Sequence, residues 1–142
     1  MDIPTPKPGL VIRYRYLWAD EAETGAEEGR KARPCVVIVA TRTVRNRVQV
    51  AAVPITHTAP SDSNQAIKLT RQTQRRLGLD DDQSWIITDE LNEFGWPGPD
   101  LEPREDTGQY EYGELPAVVF KAVRDSLVTN LQAGGRSVAR TE

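Results

Sequence analysis

Histidine and cysteine each occur once among the 142 residues, and the two residues that most often build metal centres are therefore nearly absent. One cysteine forms no internal disulfide, which is the usage expected of a cytoplasmic chain. One cysteine with one histidine supplies too few ligands for a structural zinc site within one chain. There is no run of about 18 apolar residues, so no transmembrane helix is expected. Met1 leads into Asp2 and a Pro-rich stretch rather than a charged and then apolar leader, so the sequence predicts no signal peptide. Also missing are GxxxxGK[ST], a GxGxxG after a strand, HExxH and GxSxG, and the acidic groups lack the spacing of an EF-hand loop. Nucleotide-binding loops, metalloproteases and α/β-hydrolases are excluded on these grounds, and neither cofactor nor metal is expected.

What is present is charge, and it is unevenly spread. The formal net charge is only -3, but residues 30–76 hold ten Lys or Arg against one acid, Asp62, and residues 79–115 hold twelve Asp or Glu against one arginine, Arg104. Two readings follow: the blocks neutralise each other across the fold, or the basic third forms a phosphate-binding face.

The length fits one domain, with a Pro-rich arm over 1–8, a single unit over 9–133 and a flexible tail over 134–142. Ile12, Tyr14, Tyr16 and Trp18 alternate with Arg13, Arg15 and Leu17, a strand with an aromatic face. Residues 19–33 carry two glycines and many charges with no apolar period, and read as a long surface loop. Pro34 introduces CVVIVA, a strand buried on both faces; 42–47 read as a turn and 48–55 as the returning strand. Residues 66–69 and 85–88 read as short strands, Thr70 as the cap of a short helix ended by Gly78, and 80–82 as a solvated acidic turn. Residues 92–114, rich in Pro, Gly and acids, read as loop with one edge strand. A helix opens at Pro116, with Val119, Val123, Leu127 and Leu131 on one face, and is stopped by Gly134 and Gly135. The fold class expected is mainly β with α additions: a small, partly closed barrel with a C-terminal amphipathic helix.

Three positions stand where a scaffold fixes polar groups at its rim. Arg33 joins the charged loop to the buried strand, and its planar fork of donors suits phosphate; a plain surface arginine fits the same position. Thr56 and His57 leave a strand end after Pro54, and His57 is the one side chain suited to exchanging protons near neutrality. Asp89 and Glu90 follow WIIT and serve either as proton acceptors or as ordinary strand-end acids.

The segments GAEEGRKARPCVVI (25–38), VAAVPITHT (50–58) and WIITDELNEFGW (85–96) together resemble the MazF/PemK family of toxin endoribonucleases from bacterial type II toxin–antitoxin systems. The likeness spans residues 8–132. Glu28 takes the acid of the family's first loop, Arg33–Pro34 its R-P, Pro54–Thr56 its P-x-T, and Asp89–Glu90 its D-Q, with Trp96 matching a downstream aromatic. Glu90 stands in place of the glutamine, Ile87 in place of an arginine found in some PemK-like members, and the 92–114 segment is longer and more acidic than the family pattern.

The resemblance implies an SH3-like barrel of the MazF/PemK/CcdB type, a cytoplasmic homodimer that is held by a cognate antitoxin. It cuts single-stranded RNA without a metal, by attack of a ribose 2′-hydroxyl on the adjacent phosphorus. By position, Arg33 stabilises the extra negative charge and Thr56 hydrogen-bonds the scissile phosphate. His57 or Asp89 handles protons, and Arg30, Lys31 and Thr58 join Arg33 in holding RNA. Alternatives of the same fold are a poison of a protein target such as DNA gyrase, and a non-catalytic nucleic-acid-binding relative. The aromatic set Tyr14, Tyr16, Trp18, Trp85 and Trp96 also predicts an oligomer, as more area than one core covers.

Overall fold

The computed structural model describes residues 2–43 and 45–140. It is mainly β, as the sequence predicts, and has three α-helices. Eight strands form one sheet: β1 Leu10–Tyr14, β2 Arg33–Arg42, β3 Val48–Thr56, β4 Ala66–Lys68, β5 Trp85–Ile87, β6 Glu90–Gly95, β7 Glu111–Glu114 and β8 Arg136–Ala139. The helices are α1 Ala19–Glu23, α2 Arg71–Arg76 and α3 Ala117–Gln132. Among the described residues no helix is long and apolar enough to cross a membrane.

The main path runs β4-β5-β3-β2-β1-β7. On its far side from β2, β3 forks: its first half pairs with β6 (Gln49 to Gly95, Ala52 to Asn92), its last residues with β5 (Ile55 to Ile86, Thr56 to Trp85). All pairings are antiparallel except β6 with β8. Strand alternation sends Val36 and Ile38 of β2 into one core, with Leu69, Leu77 and the Val123 and Leu127 stripe of α3. Cys35 and Val37 enter the other, with Tyr14, Tyr16 and Phe94. Both sheet faces are covered, which is why CVVIVA is apolar without a break.

Four expectations need correction. Residues 19–23 are helix rather than loop, because the helix's opening amides find acceptors: Glu21 Oε1 takes the Trp18 N–H at 3.3 Å and Glu90 Oε1 takes the Ala19 N–H at 2.9 Å. The 92–114 segment holds most of β6 and all of β7. Residues 134–140 are no frayed tail, since β8 lies beside β6 and Arg140 is buried; residues 141 and 142 lie outside the described residues. Finally, the aromatic set is covered within one chain: Tyr14 and Tyr16 are buried, and Trp18, Trp85 and Trp96 half-buried, so it gives no argument for an oligomer. Pro116 sits at the N-cap of α3, one position before its first residue.

Polar side chains close the molecule. Asn92 accepts from the Leu17 N–H at 2.9 Å and donates to the Leu17 carbonyl at 2.8 Å, so a side chain does the work of a strand partner. Arg140 donates to the Tyr14 hydroxyl, the Arg15 carbonyl, Asn92 Oδ1 and Asp100 Oδ2, at 2.7–3.2 Å. Gly135 permits the approach of β8, because a Cβ there would meet the Asn130 and Asp89 carbonyl oxygens at 2.9 Å.

Candidate active site

Where β3 forks towards β5, the start of β2 and the end of β3 lie side by side (Cys35 opposite Pro54), and a pocket of about 670 Å³ opens beside them. Lys31, Arg33, Thr56, His57 and Thr58 line it together, although they come from two segments of the sequence. Trp18, Asp80, Ser84, Ile87 and Tyr112 complete the parts of its wall that bear on the chemistry.

Arg33 is half-buried, with its guanidinium 5.0 Å from the centre of the Trp18 ring. Its Nε is buried without a hydrogen-bond partner, and among the described residues no carboxylate pairs with the side chain. A cation held against an indole face and left without an anion has the chemistry to accept an oxyanion. The loop before it is braced by Arg15, which pairs with Glu102 and donates to the Gly29 and Arg30 carbonyls at 3.5 and 3.3 Å. Gly29 is required there, since a Cβ would collide with the Tyr16 carbonyl. Trp18 is in turn set by the Asn92 and Glu90 contacts on either side of it. Thr56 ends β3, and its Oγ1 accepts from the Thr58 N–H at 3.1 Å, turning the chain at the pocket rim.

His57 is held by the turn between α2 and β5. Its Nδ1 lies 3.2 Å from the Gln83 carbonyl oxygen and 3.1 Å from Ser84 Oγ, and its Nε2 lies 3.1 Å from Asp80 Oδ2. Gln83 O and the Asp80 carboxylate can only accept, whereas the Ser84 hydroxyl can either donate to Nδ1 or accept from it. The turn is itself organised by buried Gln74, whose Nε2 donates to the Asp80 and Asp82 carbonyls at 3.0 and 2.8 Å while Oε1 accepts from the Ser84 N–H at 3.2 Å. Asp80 is therefore no merely solvated acid. Nothing in the local sequence links it to His57, 23 positions earlier; β4, α2 and β5 bring it back. Among the described residues, ligand atoms of His57, Asp80 and Asp82 come within 4.8 Å of one another, close enough to share a divalent cation, though all three are exposed.

Other positions fall elsewhere. Arg30 points away, paired with Glu21 at 3.0 Å. Glu28 is exposed outside the pocket, and Trp96 donates from Nε1 to the Pro4 carbonyl at 3.1 Å. Asp89 does not line the pocket: β5 ends at Ile87, the chain bends at Asp89, and its carbonyl accepts from the Arg136 N–H at 3.1 Å. Ile87 does line it. Glu90 turns inward, accepting from the Tyr16 hydroxyl at 3.0 Å as well as from Ala19. Burial holds its carboxyl above the ordinary glutamate value, and the same burial, with Glu90 beside it, raises the Tyr16 phenol. Burial likewise raises Tyr112 at the pocket wall, whose ring carries the Arg104 guanidinium 4.4 Å from its centre.

No family model matches the sequence, and neither does any curated protein. Among solved structures the chain is similar to an endoribonuclease in complex with its cognate antitoxin from a mycobacterial species, with 18% identity over 90% of this chain and 96% of that one and a TM-score of 0.55. That likeness is one of fold.

Proposed function

We propose that this protein is an endoribonuclease of the MazF/PemK type, the toxin of a toxin–antitoxin pair, cutting single-stranded RNA through its own 2′-hydroxyl. The observation that carries the reading is the meeting of an acid-free Arg33 with Thr56 and His57 in one pocket. Such a cleavage needs charge stabilisation on a five-coordinate phosphorus and a means of moving protons. Arg33 supplies the first, with Lys31 as a second cation on the wall. Thr56 and Thr58 lie at the rim to hydrogen-bond phosphate oxygens. Of the two proton carriers expected by position, His57 faces the pocket and Asp89 does not, which supports His57. The likeness of fold to an endoribonuclease caught with its antitoxin supports both the activity and the partner. A second copy of the chain remains part of the proposal on family resemblance alone.

The test is incubation of the protein with a mixed RNA pool in EDTA, followed by mapping of the ends. The expected products carry 2′,3′-cyclic phosphates and 5′-hydroxyls, and Arg33→Ala lowers the rate by about 10²-fold or more while the melting curve is unchanged. RNA that is bound but never cut would place the chain among non-catalytic relatives. Growth inhibition that survives Arg33→Ala, with loss of supercoiling activity, would place it among gyrase poisons.

A further inference from the structure

We propose that Tyr112 is a further RNA-binding residue of the pocket, its hydroxyl donating to a non-bridging phosphate oxygen of the bound strand; this rests on the endoribonuclease reading above. Tyr112 belongs to the 92–114 segment, which is longer and more acidic than the family pattern and has no part in the cleavage as described so far. From that segment β7 returns to β1 with an irregular register: Leu10 lies opposite Glu114 and Val11 opposite Gly113, but Ile12 opposite Glu111. Tyr112 is thus the extra member of a β-bulge, and Gly113 beside it takes a φ of +110°, which a glycine adopts without strain. A bulge turns one side chain out of the alternation of its strand. Here it sends the phenol to the wall that Lys31 and Arg33 also line.

The ring is held in place. Arg104 lies over it, and its guanidinium is anchored by Asp106 at 2.8 and 3.1 Å and by the Glu111 carbonyl at 3.3 Å. The same guanidinium packs against Gly78 of the pocket wall, where a Cβ would stand 3.2 Å from it. The hydroxyl, by contrast, makes no hydrogen bond among the described residues. Burial keeps the phenol protonated at neutral pH, so it is available as a donor. Its surroundings favour an anion as the acceptor. Arg13 and Arg104 both lie near enough to oppose the rise that burial causes. The buried Arg13 Nε has no partner, and the exposed Glu105 carboxylate comes no nearer to that side chain than 3.7 Å. Lys31 and Arg33 add charge from the same pocket, and Asp80, the carboxylate on its wall, already meets His57. Glu105 and Asp106 thus face arginines, and what their segment presents to the pocket is a neutral donor in a positive field, suited to a phosphate oxygen.

The experiment measures Kd for a single-stranded RNA carrying the mapped cut site, blocked there by a 2′-deoxy substitution, and for the same strand with each phosphate in turn made a methylphosphonate. Tyr112→Phe keeps the ring and its contact with Arg104, and its melting curve is expected to match that of the parent. It is expected to bind the unmodified strand about tenfold more weakly, the scale of one hydrogen bond to a charged group. Its salt slope is expected to equal the parent's, since a neutral hydroxyl releases no counterion. At one phosphate the methyl group is expected to cost the parent about tenfold and Tyr112→Phe less than about threefold, because the contact it removes is already gone. Losses that simply add at every phosphate would overturn the proposal, as would a Tyr112→Phe variant that binds like the parent. Weak binding by Tyr112→Ala beside normal binding by Tyr112→Phe would overturn it in favour of a base stacked on the ring. A parent that leaves the mixed RNA pool uncut would overturn the endoribonuclease reading itself, whereas a cutting parent with an indifferent Tyr112→Phe overturns only this proposal.

Discussion

Glu90 shows how a single carboxylate can serve structure at the edge of a candidate active site. Its Oε1 collects the Tyr16 hydroxyl and the Ala19 amide, and those two donors hold the chain on either side of Trp18, the ring on which Arg33 rests. Burial raises its native value, so ionising it in the folded state is less favourable than in the unfolded chain. The native protein therefore binds more protons between the ordinary glutamate value, about 4.3, and the raised native value, and stability falls as pH rises through that window. A glutamine keeps the accepting oxygen and discards the charge. Glu90→Gln is thus expected to match the parent at pH 4, to exceed or equal it at pH 7, and to show a flatter course between, as read from urea midpoints. A variant that loses stability at neutral pH but not at pH 4 would mean that the carboxylate charge is a net benefit.

Among the elements, β6 and β8 carry the same lesson about what a sequence displays. Strands β2, β3 and β5 are legible because their inward residues are apolar, and α3 because Val123 and Leu127 recur at helical spacing. β6 is hidden, because two of its inward residues are Glu90 and Asn92, each satisfied by main-chain groups 71–75 positions away. An apolar-periodicity reading counts those as solvent-facing. β8 is hidden for a different reason: RSVA is mostly exposed and gains its place from a close glycine approach and from Arg140 beyond it. In the site, Arg33, Thr56 and His57 were legible as polar residues at strand ends, whereas Asp80 depended on the path of three intervening elements. Arg140→Ala tests the weight of β8. It leaves Asp100 and Asn92 without their buried cation, and the expected cost is about 2–4 kcal/mol in urea unfolding. A loss below 0.5 kcal/mol, on the order of an exposed pair, would mean that β8 is held by its backbone pairing alone.

Over the described residues, most ion pairs of the acidic block are made outside the basic one. Among the described residues, the acidic stretch 79–115 pairs with Lys7, Arg13, Arg15, Arg104 and Arg140, and it reaches into 30–76 from Asp80 to His57. The acids secure the outer parts of the chain, and among the described residues no carboxylate is paired with Lys31 or Arg33. Binding of an RNA blocked by a 2′-deoxy substitution at the cut site is accordingly expected to weaken steeply with salt. Arg33→Ala should reduce the slope of log Kd against log salt by about 0.7, the share of one phosphate contact on a single strand. An unchanged slope would remove Arg33 from the phosphate path.

The reach of Arg140 to Tyr14 and Arg15 has a consequence for how the protein comes apart. Its contacts join positions about 125 apart in sequence, and Arg136 adds a second tie, to Asp20 and Glu23 of α1. Such closures are formed late in folding, because the intervening chain must be ordered first. They also keep the last strand from peeling away alone: opening it releases Asn92 from Arg140 and loosens Leu17, next to the indole beneath Arg33. Local opening and loss of the pocket thus merge into a single cooperative event.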